Sequence, residues 1–220
     1  MTKGETMKRY ALFALGVLVC ATGIAFVTRA GLGTSPISSI PFVLSLITPP
    51  SMGVYTFGFN MFFLLCEALL VRRFTLLQAL QIPATLLFSA CIDVALALIP
   101  TRYGGPWLSS AVYLVLGCAI MALGITLEVR ADVIMLPGEA FVRALSRHLG
   151  KEFGNMKVCF DTTLTLIAAV MALLAFGRLN GVREGTLFSA LAVGQLVKLY
   201  GRGLDGLRER LRPEPSCELK

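Results

Sequence analysis

The sequence predicts an all-α membrane protein: six transmembrane helices arranged as two inverted-topology repeats of three spans each. Three observations predict it. Of the 220 residues 56% are hydrophobic and 15% charged, against roughly a quarter charged in a soluble domain. Apolar runs of about 18 residues or more, the length that crosses a hydrocarbon layer of roughly 30 Å, recur along nearly the whole chain. Finally, residues 16–65 match 117–166 without a gap, with identities that include Gly16/Gly117, Gly23/Gly124, Arg29/Arg130, Pro36/Pro137 and Gly53/Gly154. Glycine, arginine and proline matching in register is hard to attribute to shared apolar composition. Farther on, LFSA at 87–90 recurs at 187–190.

Residues 1–9 are read as a cytoplasmic N-terminus, and the run from 10 to 28 as a retained first span. That run is too long for a secretory leader, and no clear small-residue cleavage site follows it. Further spans are expected at 53–71, 75–98, 107–128, 157–177 and 184–200. The first repeat then covers 10–100 and the second 107–201, with an external loop at 101–106 and a basic cytoplasmic tail at 202–220. Lys and Arg flanking spans stay cytoplasmic. With the N-terminus inside, sixteen of the twenty basic residues lie inside and only Arg29, Arg102, Arg178 and Arg183 outside. Both termini are therefore expected in the cytoplasm. The net charge of +7 reads as orientation and attraction to anionic headgroups, and nucleic acid is not expected as a partner. Three spans per half force the second copy to sit upside down relative to the first, as in many secondary transporters.

Between the first and second spans of each half lies a segment too short to cross. Pro36 to Ile47 would form roughly 18 Å of helix. In its counterpart, Glu139, Arg143 and Arg147 share one face while Phe141, Val142, Leu145 and Leu149 line another. Residues 34–47 and 136–149 are therefore expected to be short interfacial or re-entrant helices, with Pro36 and Pro137 in first turns, where an imide nitrogen loses nothing. Such a helix start can meet an anionic group, or it can be a plain elbow. The third span of each half is interrupted: by Gln78, Gln81 and Pro83 in the first, and by Asn180, Gly181, Arg183, Glu184 and Gly185 at the entrance of the second. Broken spans at matching places point to a binding site.

Polar groups inside spans are costly in lipid, by about 2.5–3.5 kcal/mol for a central Asp. Glu67, Asp93, Asp161 and Gln195 are accordingly expected to face the bundle interior, with Glu67 also within reach of Arg72. Asn60 and Asp161 occupy equivalent repeat positions. Lys157 precedes Asp161 by four residues, so the two either form a local ion pair or leave Asp161 as a solute- or proton-coupled carboxylate. The six cysteines form no CxxC pair and His148 stands alone, so neither metal nor cofactor is expected. There is no HExxH, GxSxG or Walker pattern, and an enzyme is not expected.

The GLGTSP turn at 31–36, MLPGE at 135–139, KVCFD at 157–161 and GVREGTLFSAL at 181–191 resemble the YczE/YyaS/YitT-like bacterial integral membrane proteins, from residue 8 to about 203. The resemblance implies a membrane protein of this architecture in the plasma (inner) membrane of a bacterium, and does not name a cargo.

The function expected is that of a small-solute permease or secondary transporter, with proton or cation coupling and a homodimer left open. The alternatives are a substrate-binding membrane subunit of a multi-component importer and a non-transporting accessory or sensor protein. The solute is expected between the halves, at Gly33, Thr34, Ser35, Pro36, Asn60, Pro83 and Asp93 of the first. From the second, Pro137, Gly138, Glu139, Lys157, Asp161, Arg183, Glu184 and Thr186 are expected to join them.

Overall fold

The computed structural model describes residues 3–100 and 107–210, with side chains for 4–100 and 107–203. The external loop expected at 101–106 and the end of the basic tail, 211–220, with Cys217, lie outside the described residues. The described chain is helical, with no strand among the described residues. The helices are α1 (Lys3–Arg29), α2 (Ser39–Ile47, entered through a 3₁₀ turn at Pro36–Ser38), α3 (Met52–Val71), α4 (Leu76–Leu98), α5 (Trp107–Ala131), α6 (Pro137–Leu149), α7 (Phe153–Phe176) and α8 (Glu184–Arg210).

Among the described residues, five helices are long and apolar enough to cross a membrane: α1, α3, α4, α5 and α7. The sixth expected span forms the first part of α8, which continues through Lys198 and Arg202 to Arg210 and is more polar than the others. The short helices begin at Pro36 and Pro137, as the proline positions predict. Several long helices outrun their apolar stretches. Thus α1 starts at Lys3 and α7 at Phe153, because backbone hydrogen bonding carries a helix on into the polar interface after hydrophobicity has ended.

Local chemistry sets the ends. Ser51 Oγ accepts from Val54 N at the start of α3. At the start of α4, Gln78 Oε1 accepts from Thr75 N at 2.8 Å while Thr75 Oγ1 accepts from Gln78 N, a reciprocal cap that satisfies otherwise orphaned donors. Gly150 and Gly177 close α6 and α7 in left-handed conformations, which glycine adopts without steric cost.

The centre of the molecule is the crossing of α1 and α5. In lipid no hydrophobic force drives helices together, so close packing of small residues has to hold them. The two helices run antiparallel with Gly16 against Glu128, Cys20 against Gly124, Gly23 against Met121 and Val27 against Gly117. A Cβ added at Gly23 would lie 2.6 Å from Met121 Cα, and one at Gly124 would lie 2.6 Å from Cys20 Cα. Around this pair, α3 and α7 bury little of themselves and leave Phe62, Leu65, Leu69, Leu166 and Leu174 exposed, a surface suited to acyl chains.

One difference between the segments matched in sequence shapes the site. Helices α3 and α4 pack together, and Asp93 of α4 holds the start of α3, accepting from Gly53 N at 2.7 Å and from Ser51 Oγ at 2.5 Å. Helices α7 and α8 share no comparable packing. By the LFSA match the residue corresponding to Asp93 is Val193, which has no acceptor to offer.

Candidate functional site

Where α7 and α8 stand apart, a cavity of about 440 Å³ runs in among all the surrounding elements. The α1–α5 pair contributes Cys20, Met121 and Glu128 to its wall. The 3₁₀ turn contributes Ser35 and Pro36, α3 contributes Asn60 and Phe63, and α6 contributes Glu139. Lys157 and Asp161 come from α7, Val193 and Lys198 from α8. The lining is largely apolar, with a few convergent polar groups, the usual character of a small-molecule site.

Several of the polar groups have definite partners. Asn60 is buried, its Nδ2 donating to Thr56 O at 2.9 Å and its Oδ1 accepting from Gly138 N at 3.3 Å. That second bond supplies one of the free N–H groups at the start of α6, a need that every helix N-terminus has. Gly138 fits there because a Cβ would strike Ile37 Cδ1 at 2.6 Å, so the two short helices meet tip to tip. Asp161, the repeat equivalent of Asn60, instead takes Lys157 Nζ at 2.9 Å on its own helix. Of the two sequence readings for Asp161, the local ion pair is therefore formed, and it is formed on the cavity wall. Glu128 stands beside Cys20, and its Oε1 is buried without a hydrogen-bond partner.

Six of the expected site residues line the cavity, Ser35, Pro36, Asn60, Glu139, Lys157 and Asp161, while Pro137 and Gly138 lie behind, at the tip of α6. Gly33, Thr34 and Thr186 build a buried joint beside the cavity, where Thr186 Oγ1 accepts from Thr34 N at 3.2 Å and Gly185 N donates to Leu32 O at 2.8 Å. Ser189 reaches both places, donating to Thr186 O at 2.9 Å and lining the cavity. Arg183 and Glu184 are exposed and pair at 3.1 Å. Asp93 holds α3 as described above. Pro83 does not break its span: α4 is continuous, with Pro83 on an exposed face away from the cavity. Glu67 is not turned to Arg72; it lines a separate, more open cleft of about 530 Å³ with Gln78, Gln81, Arg143, Arg147 and His148.

The quoted sequence motifs fall where the elements meet: GLGTSP enters the 3₁₀ turn, MLPGE enters α6, KVCFD carries the ion pair, and GVREGT opens α8. A family description spans residues 7–202, nearly all of this arrangement. The chain belongs to DUF6198, a family of unknown function. It is also similar to the uncharacterized protein YyaS of Bacillus subtilis (strain 168), at 23% identity over 193 residues, 87% of this chain and 92% of that one. No solved structure matches it. Taken with the apolar helices, these findings make this DUF6198 member a YyaS-like, multi-pass membrane protein.

Sequence reasoning missed Glu128 and Lys198 in this DUF6198 chain, along with the aromatic wall of Phe59, Phe88 and Phe153. Glu128 was legible in one way only. It is an acidic residue one helical turn inside the end of an apolar run, near Arg130, and it reads as a boundary charge unless the glycine at position 16 is known to pack against it.

Proposed function

We propose that this chain is a small-solute permease or secondary transporter of the bacterial inner membrane. It crosses six times in two inverted halves, has both termini in the cytoplasm, and holds its solute in the cavity between the halves. The observation that carries the reading is that cavity, walled by both halves and furnished with carboxylates at depths where lipid would make them costly. The α1–α5 contacts support the inverted build. Exchanging the halves by the repeat register turns Gly16 against Glu128 into Gly117 against Val27, and Gly23 against Met121 into Gly124 against Cys20. The same pairs therefore recur, as a two-fold axis in the membrane plane requires.

In this orientation the exposed Lys198 end of the cavity faces the cytoplasm, and the Asp93 contact closes the opposite side. Transport then consists of rocking the halves so that α3 and α4 part while α7 and α8 close. The test is uptake into proteoliposomes of a panel of labelled amines, carboxylates, sugars and amino acids, with and without a pH gradient. Gly194 lines the cavity and has open space about it, so Gly194→Phe should fill the site and abolish uptake without unfolding the protein. Uptake only in the presence of an ATPase partner would favour the importer-subunit reading. Flux no faster than in empty liposomes, for every solute, would leave the accessory or sensor role.

A further inference from the structure

The charges in the cavity do not balance. Lys157 is already engaged by Asp161 at 2.9 Å, and Lys198 is exposed at the mouth. The charged groups left inside are Glu128 of α5 and Glu139 of α6, near enough to feel each other's charge. Glu128 Oε1 is buried with no hydrogen-bond partner, and no guanidinium lines the cavity among the described residues. Two carboxylates in an apolar enclosure repel strongly, because the surroundings screen them poorly, and a buried acceptor without a donor is costly. The arrangement is incomplete without positive charge.

We propose that the cavity takes a monovalent organic cation, an ammonium or amidinium with an apolar body, whose charge is held between Glu128 and Glu139. An anion would meet two like charges, and a neutral solute without a donor would leave Glu128 Oε1 unsatisfied. No group of three or more His, Cys, Asp or Glu that could hold a metal ion occurs among the described residues, so a metal cation would lack ligands. The apolar body is accommodated by Phe59, Phe63 and Phe88, whose ring faces also attract cations. Protons compete for the same carboxylates, so cation binding weakens as pH falls. The other titratable groups facing them are Cys20 from α1, Lys157 and Asp161 from α7, and Lys198 from α8. The cavity is that of the permease reading, but binding does not require that transport occurs.

The test is calorimetric titration of the purified full-length protein in detergent with benzyltrimethylammonium, with benzyl alcohol and benzenesulfonate as neutral and anionic counterparts. The ammonium alone should bind saturably, less tightly at pH 5 than at pH 8. Glu128→Gln and Glu139→Gln should each weaken it about tenfold or more, equivalent to about 1.4 kcal/mol. Glu139→Asp should retain most of the affinity, as should Glu67→Gln in the separate cleft. No ammonium binding, equal binding of the alcohol or sulfonate, or undiminished affinity in both Gln variants would overturn the proposal. Ammonium binding without flux of any solute would refute transport and leave this cation site standing. Flux of a neutral or anionic solute without ammonium binding would do the reverse.

Discussion

Replacing Gly23 by alanine tests the central crossing. The new methyl carbon would sit 2.6 Å from Met121 Cα and press on the Met121 backbone, whereas carbon atoms rest about 3.5 Å apart or more. Backbone cannot swing aside as a flexible side chain does, so α1 and α5 have to part by about 1 Å. A gap of that size forfeits about a quarter to a half of the dispersion energy between facing atoms, and overpacking of this kind costs about 1–3 kcal/mol. On the scaling for chains of this length the melting temperature falls by roughly 2–12 °C. Thermal unfolding in a mild detergent, followed by tryptophan fluorescence or size exclusion, reads the effect. Gly58→Ala, where nothing lies within 4 Å, is the control and should be neutral or slightly stabilising, since alanine is the better helix former. Gly124→Ala should match Gly23→Ala, and the double variant should cost less than the sum, because helices already parted by one methyl have room for the other. A Gly23→Ala protein as stable as Gly58→Ala would refute the close crossing.

Asp93→Ala should destabilise by about 1–3 kcal/mol, because it strands Gly53 N–H and the Ser51 hydroxyl; chemical denaturation in detergent measures it, and Asp93→Asn should restore part of the loss. The double change Lys157→Met with Asp161→Leu should unfold within about 1 kcal/mol of wild type, while Asp161→Leu alone should be less stable than either, since it leaves Lys157 unpaired on a half-buried face. For topology, in a cysteine-free background Arg178→Cys should react with an impermeant maleimide on intact cells and Lys151→Cys only after permeabilisation; both positions are exposed, and the reverse pattern would invert the orientation.

Much of the fold is written locally. Pro36 and Pro137 gave the starts of the two short helices because proline's missing N–H and fixed φ act on the residue itself. The i,i+4 spacing of Lys157 and Asp161 made their pairing one of two readings for the same reason, and the pair is formed. What the sequence withheld depends on distant partners. Asp93 looked like a cavity residue, but its partners Ser51 and Gly53 lie some forty positions earlier, and no spacing rule connects them. Gly16, Gly23, Gly117 and Gly124 were visible as matched glycines, yet only the crossing reveals that they let two backbones touch and set Glu128 against α1. Pro83 misled in the opposite direction: proline removes one hydrogen bond from a helix, and α4 absorbs that loss without breaking.

By the LFSA match Val193 stands where Asp93 stands, and in the permease proposed above that single difference would set a population. Parting α4 from α3 gives up two hydrogen bonds to a carboxylate, about 1.5–3 kcal/mol each, whereas α7 and α8 have no such bond to break. At about 1.4 kcal/mol per factor of ten, an arrangement open on the α3–α4 side would be held to roughly one molecule in a hundred to ten thousand. In the permease proposed above, the chain would thus rest with one mouth open, and a ligand would reach the rarer state only as far as it binds that state more tightly than the common one.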